Sequence, residues 1–207
     1  MGGIAAAVSK EGNDAAWAVM QMLQQLKHRG TDEFHILTPT FSLKSNSIIK
    51  LTTQKPISNK AVGFTPSPIT RKEHQLIQQD NCTLVFNGHL FSPPLKTSTI
   101  KEVARCLQPN VDKGAVNIIT KFEGSYTFTL LLPNKIIAGR DTFGTAPLYY
   151  GSNESFHAVA SERKALWTLG IKNVRSFPPG NLAMLNTIGF DFKPVAVVTQ
   201  PRQETVS

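Results

Sequence analysis

The chain has 207 residues, which suits one large domain, and a 41% hydrophobic content with twelve Phe and no long Gly, Ser or Gln tract belongs to a globular protein with a real core. No run approaches the ~18 apolar residues of a membrane span, and Gly3 to Val8 lacks the basic flank and length of a signal peptide, so a cytoplasmic protein without a membrane partner is expected. Cys82 and Cys106 offer neither a disulfide framework nor metal-ligand spacing, and no metal or cofactor is expected.

Net charge is +8, and the excess is uneven. Between Phe34 and Lys72 stand Lys44, Lys50, Lys55, Lys60, Arg71 and Lys72 with no acid, a stretch that could attract nucleic acid or an acidic protein face. The competing reading is a solvated set of hairpin loops, favoured by single spacing without stacking aromatics.

Gly3 to Val8 predicts a buried first strand, closed by turn-like Ser9 to Asn13. Asn13 or Asp14 can cap a helix with Ala16, Val19, Met20, Leu23 and Leu26 on one face, ending near Gly30. Strand-like runs follow at Phe34 to Leu37, Ser47 to Leu51, Ala61 to Thr65 and Thr83 to Phe86. Thr97 to Ser98 can start a second helix carrying Ile100, Val103, Ala104 and Leu107, and Val116, Ile119 and Phe122 suggest a short third. The strongest hairpin signal is Tyr126 to Leu132 with Lys135 to Ala138, continuing through Leu148 to Tyr150 and Phe156 to Ala160. Glu162, Arg163 and Lys164 can open a short helix, and strands Leu182 to Leu185 and Val195 to Val198 close the chain. Antiparallel strands with helices in two clusters make an α+β layered fold.

Three stretches go further: Arg140-Asp141-Thr142-Phe143-Gly144-Thr145-Ala146-Pro147-Leu148-Tyr149-Tyr150, Ser161-Glu162-Arg163-Lys164-Ala165-Leu166, and Phe177-Pro178-Pro179-Gly180. In this order they resemble the glutamine amidotransferase domain of asparagine synthetases and their class II relatives. The resemblance covers roughly residues 2 to 187, leaving 188 to 207 as a C-terminal strand and tail, and implies the four-layer αββα sandwich of two antiparallel sheets seen in N-terminal nucleophile hydrolases.

It also implies a nucleophilic cysteine at the mature N-terminus, whose free amine assists proton transfer. Here the chain starts Met1-Gly2-Gly3-Ile4, and Gly2 has no side chain to offer. The family's oxyanion hole corresponds to Asn87 and Gly88, a relic able to bind negative charge; the competing and less favoured reading is that Asn-Gly ends the strand Thr83 to Phe86 in a turn. His89 stands where the family places a Glu on the substrate amine, and imidazole is a poor partner for an ammonium. Pro66, in Gly63-Phe64-Thr65-Pro66-Ser67-Pro68-Ile69, replaces the Arg that would clamp the substrate carboxylate. A further acid of the family falls near Ser98 to Ile100, where no Asp occurs.

His28-Arg29-Gly30-Thr31-Asp32 resembles another family run, and Arg140, Asp141, Gly144, Tyr149 and Glu162 are scaffold or interface positions, with Arg140 and Asp141 expected to pair. No P-loop or Rossmann fingerprint is present. The expectation is a degenerate, stand-alone amidotransferase-like protein, a non-catalytic binding or regulatory subunit with a protein partner at a surface near Phe143 and Tyr149. The alternative is an active glutamine-hydrolysing ammonia donor with unorthodox site residues. A natural Cys altered to Gly2 is a third reading, which the second codon of the gene decides.

Overall fold

The computed structural model describes residues 2–12, 14–30, 33–54, 57–67, 76–79, 82–92, 99–107 and 110–197. Two antiparallel sheets lie face to face with helices on their outer faces, giving the four layers expected.

The first sheet has seven strands: β1 (Gly3–Ser9), β2 (Phe34–Leu37), β3 (Ser42–Ser45), β4 (Lys60–Thr65), β9 (Tyr149–Ser152), β10 (Phe156–Ala160) and β11 (Arg175–Ser176). Their order is β11-β9-β10-β1-β4-β2-β3. The central strand β1 is buried throughout, so it reads as a continuous apolar run. Its pleat sends Ala5 and Ala7 toward the helices and Ile4, Ala6 and Val8 toward the inter-sheet core. The helices on this face are α1 (Ala15–Leu26), α2 (Ile48–Thr53) and α5 (Arg163–Trp167). Small strand residues let α1 approach: a Cβ at Gly63 would stand 2.4 Å from Val19 Cγ1. Asp14 precedes α1 but does not cap it, because its carboxylate accepts from the Ser9 hydroxyl at 2.8 Å.

The second sheet runs β13-β12-β8-β7-β6-β5. Its strands are β5 (Leu76–Gln79), β6 (Cys82–Ser92), β7 (Glu123–Leu131), β8 (Ile136–Arg140), β12 (Asn181–Leu185) and β13 (Phe190–Pro194). Helices α3 (Thr99–Arg105) and α4 (Val111–Lys121) cover its outer face. Tyr126 of β7 ties α4 to this sheet, its buried hydroxyl donating to the Ile118 and Phe122 carbonyls at 3.0 and 3.1 Å.

Several expectations need correction. Ser47 to Leu51 is no strand: Ser47 is extended and precedes α2, in which only Leu51 is buried. The third helix is longer than Val116 to Phe122 suggests, starting at Val111 with Asn110 accepting from Lys113 N at 2.9 Å. Of the expected strand Val195 to Val198, Val195 to Val197 are not in a strand and Val198 lies outside the described residues; the strand is Phe190–Pro194, because Asn186 Oδ1 accepts from Ile188 N and Gly189 N and sets the hairpin register there. The Thr97 to Ser98 helix start lies outside the described residues. No helix among the described residues is long and apolar enough to cross a membrane.

Candidate functional site

The pairing of Gly3 with Thr65 across β1 and β4 lays residue 2 against the segment that leaves β4. Gly2 is buried there. A Cβ on it would stand 2.3 Å from the Thr65 carbonyl oxygen, 3.1 Å from Ser67 N and 3.3 Å from Pro66 Cα. Position 2 therefore lacks both a side chain and room for one. The same segment closes on Gly30, where a Cβ would meet the Pro66 carbonyl at 2.3 Å, while Thr65 Oγ1 donates to Gly30 O at 2.8 Å.

The Gly2 carbonyl is held from both sides. Asn87 Nδ2 donates to it at 3.1 Å from the second sheet, and Arg29 Nη1 at 3.3 Å from the turn after α1. Arg29 also donates through Nε to Glu162, which takes His28 Nε2 at 2.8 Å and Lys164 Nζ at 3.2 Å. Burial alone would raise the Glu162 pKa, but hydrogen bonds from Arg29 and His28 and the Arg29 charge hold it below the usual carboxylate range. Beside Glu162, Ser161 Oγ accepts from Ile4 N at 2.9 Å. The start of β1 is clamped by a polar network reaching both sheets.

Asn87 and Gly88 lie inside β6, which continues to Ser92, so the turn reading of Asn-Gly is overturned. Gly88 has φ +150°, and a Cβ there would reach 2.1 Å from the Ser125 carbonyl. Only glycine fits that approach of β7. Among the described residues, Asn87 Oδ1 and the hydroxyls of Thr127 and Thr129, all buried, find no hydrogen-bond partner. The pairings Asn87 with Thr127 and Val85 with Thr129 put these polar groups on the inter-sheet face beside position 2. His89 is exposed, and Pro66 is half-buried against Gly2. The structure thus gathers Gly2, Pro66, Asn87 and Glu162 at one end of the inter-sheet layer. Arg29 and Thr65, which the sequence offered only as parts of motifs, prove to be its joints.

Arg140, Asp141 and Gly144 form a separate buried turn. The expected Arg140–Asp141 pairing is not made; each side chain serves the backbone instead. Arg140 donates to the carbonyls of Ala146 at 2.7 Å, Phe177 at 2.6 Å and Gly144, and to Ser176 Oγ at 3.1 Å. Asp141 accepts from the amides of Phe143, Thr145 and Ala146 at 3.0 to 3.1 Å and from the Thr145 hydroxyl at 3.1 Å. Gly144 takes the left-handed φ of +64° that closes the loop. Phe143 and Tyr149 do not share a surface. Tyr149 packs under Arg163 with the α1/α5 cluster, whereas Phe143, 65% exposed, sits beside Ile119 and Phe122 of the α4 side.

The basic stretch is also split. Lys44 pairs with Glu33 at 2.6 Å, and Lys60 is buried, donating to the Pro133 carbonyl at 2.9 Å, with burial pushing its pKa below the usual lysine range. Lys50 lies on α2; Lys55, Arg71 and Lys72 lie outside the described residues. Among the described residues no group of three or more His, Cys, Asp or Glu side chains is placed to hold a metal.

Residues 69–168 match a family described as a glutamine amidotransferase domain. The chain carries a class II glutamine amidotransferase-like domain. An asparagine synthetase (glutamine-hydrolysing) homologue of Methanocaldococcus jannaschii is 25% identical over 178 residues, covering 80% of this chain and 33% of that protein. The amidophosphoribosyltransferase of the same organism is 31% identical over 102 residues, covering 48% and 22%. The chain therefore spans a third or less of these curated relatives. Among solved structures, the glutamine phosphoribosylpyrophosphate amidotransferase of B. subtilis superposes with a TM-score of 0.77 at 20% identity, over 94% of this chain and 49% of that one. A class-II domain protein from Silicibacter pomeroyi gives 0.60 at 12% identity, over 94% and 99%. At these identities the superpositions establish the shared fold of the amidotransferase-like domain.

Proposed function

We propose that this amidotransferase-like domain is degenerate and works as a non-catalytic binding or regulatory subunit of a larger complex. The observation that carries the proposal is the closure of position 2: no nucleophile stands there, and the Thr65–Ser67 backbone fills the space where its Cβ would be. Acyl transfer from glutamine needs a nucleophile within hydrogen-bond reach of a base and an oxyanion donor. Here the donor Asn87 is engaged by the chain's own Gly2 carbonyl. The loss of a carboxylate-binding Arg at Pro66 and the exposed His89 remove further handles on the substrate. Its partner is a separately encoded synthetase or a comparable assembly.

One observation favours the alternative of a working glutamine hydrolase: Asn87 Nδ2 lies beside residue 2, where an oxyanion donor is needed. That reading predicts ammonia release from glutamine that disappears in Asn87→Ala. The subunit reading predicts no release above buffer from the protein with its authentic N-terminus, and co-elution with a stoichiometric partner from native extract. Ammonia release dependent on Asn87 would overturn it.

A further inference from the structure

The outer face that carries α1 and α2 holds a groove of about 470 Å³ that shares only His28 with the polar network at Gly2. Gln24, Lys27 and His28 form one wall, Ser47, Ile48 and Ile49 the other, with Phe34 at the base. Ile49 is 75% exposed, a large apolar side chain in water at the mouth of an apolar cleft. None of the lining side chains is acidic. Lys27 is exposed at the rim, and Lys50 follows Ile49 on α2. The next cluster adds cations: Glu162 is shared among Arg29, Lys164 and His28, so one carboxylate faces two permanent positive charges and a titratable third. Aliphatic side chains in a cationic frame complement a ligand with apolar residues beside carboxylates.

We propose that this groove docks an acidic amphipathic segment of a partner protein, its apolar residues set against Phe34, Ile48 and Ile49 and its carboxylates against Lys27. The inference rests on the subunit reading and adds where the partner sits and what chemistry it presents. A second copy of the chain is the wrong complement, since the net charge is +8 and a self-contact here would oppose lysine to lysine. Nucleic acid is a poorer match, because the groove presents isoleucines rather than a stacking aromatic face, and Lys44 and Lys60 of the basic stretch are engaged elsewhere.

Two measurements test this on the full chain. In the first, a fluorescent helical peptide with Glu and Leu at i, i+3, i+4 and i+7 spacing is titrated by anisotropy, beside a Lys-for-Glu control peptide. The acidic peptide binds, the basic one does not, and Lys27→Glu weakens binding by about tenfold or more, as does raising the salt to screen the rim. Lys27 is exposed, and an unchanged melting temperature confirms that the variant is folded. Equal binding of both peptides, or no effect of Lys27→Glu, overturns the proposal. In the second, a photo-crosslinking residue replaces Ile49 or, separately, Phe143 in native extract, and the captured segment is sequenced by mass spectrometry. Capture at Ile49 of an Asp/Glu-rich apolar segment supports the groove; capture there of nucleic acid, a basic segment or a second copy overturns it. A silent Ile49 with capture at Phe143 defeats the groove and leaves the subunit reading standing, whereas silence at both with a monomeric elution defeats both.

Discussion

The Arg140–Ala146 turn and the position-2 end of the inter-sheet layer are built from the same materials: buried polar side chains tied to backbone groups and a glycine at a tight spot. At the turn the side chains hold nearby backbone groups and the Ser176 and Thr145 hydroxyls, and every bond named for Arg140 and Asp141 ends within residues 140–177. At position 2 the resemblance assigns chemistry to the same kinds of group, yet the groups present hold backbone too. Asn87 and Arg29 clasp the Gly2 carbonyl, and Glu162 clasps Arg29. The difference teaches why polar residues can be kept at such a place whatever chemistry it carries: those with a structural task serve the fold without any reaction.

That comparison can be broken by substitution. The largest effect is expected at the turn, where Arg140→Ala strands three carbonyls and costs about 3 kcal/mol or more in urea unfolding. A cost near that of Arg29→Ala, which gives up the clasp on Gly2 and Glu162, would mean the two clusters are equal in the fold. Next comes Gly2→Ala, for which forcing a Cβ against the Thr65 carbonyl costs about 1–3 kcal/mol; a neutral result would show that position 2 has room after all. Lys60→Ala costs about 1–2 kcal/mol by leaving Pro133 O without its donor, while Lys50→Ala, at an exposed place on α2, stays within about 0.5 kcal/mol.

The smallest effect depends on pH. The Glu162 pKa is depressed in the folded chain, so its contribution is present above the ordinary carboxylate range and is lost as pH falls through the folded value. Thermal melts of Glu162→Gln should lie below the parent at neutral pH and converge with it in acid. His157 has the opposite chemistry but the same slope. Burial and the Lys10 charge lower its pKa against a weaker upward pull from the Thr187 backbone, so the folded chain binds fewer protons and stability falls as pH drops below about 6.5. His157→Gln should flatten that part of the profile.

Much of the architecture was legible because it is written locally. The apolar run of β1, the helical spacing of α1 and the hairpins between Tyr126 and Ala160 fall where pattern places them. The failures have local causes as well. Ile48 and Ile49 are β-branched and read as strand, but their segment forms a short outer helix that buries only Leu51. The Val195 to Val198 run is the more apolar, yet the Asn186–Gly189 turn sets the register so that Phe190 and Phe192 pack on Tyr150. The short edge strand Ser42–Ser45 has Leu43 as its sole apolar residue, too little for an alternating pattern to show.

The residues around position 2 were named in the sequence, but their arrangement was illegible there. Nothing near Asn87 in the chain announces that its amide reaches the Gly2 carbonyl 85 residues away, and nothing near Pro66 announces that its segment fills the space over residue 2. The Arg140–Asp141 pairing looked natural from adjacency, but successive residues of a strand end point apart and found backbone partners separately.

The central claim is that position 2 is closed as well as empty, and the most direct test is ammonia release from glutamine by Gly2→Cys compared with the parent, each with its N-terminus verified by mass and its melting temperature recorded. Silence from both, with a lower melting temperature for the variant, is the predicted result. Ammonia release by Gly2→Cys at an unchanged melting temperature would show that the pocket still admits a nucleophile and its substrate, contradicting the account.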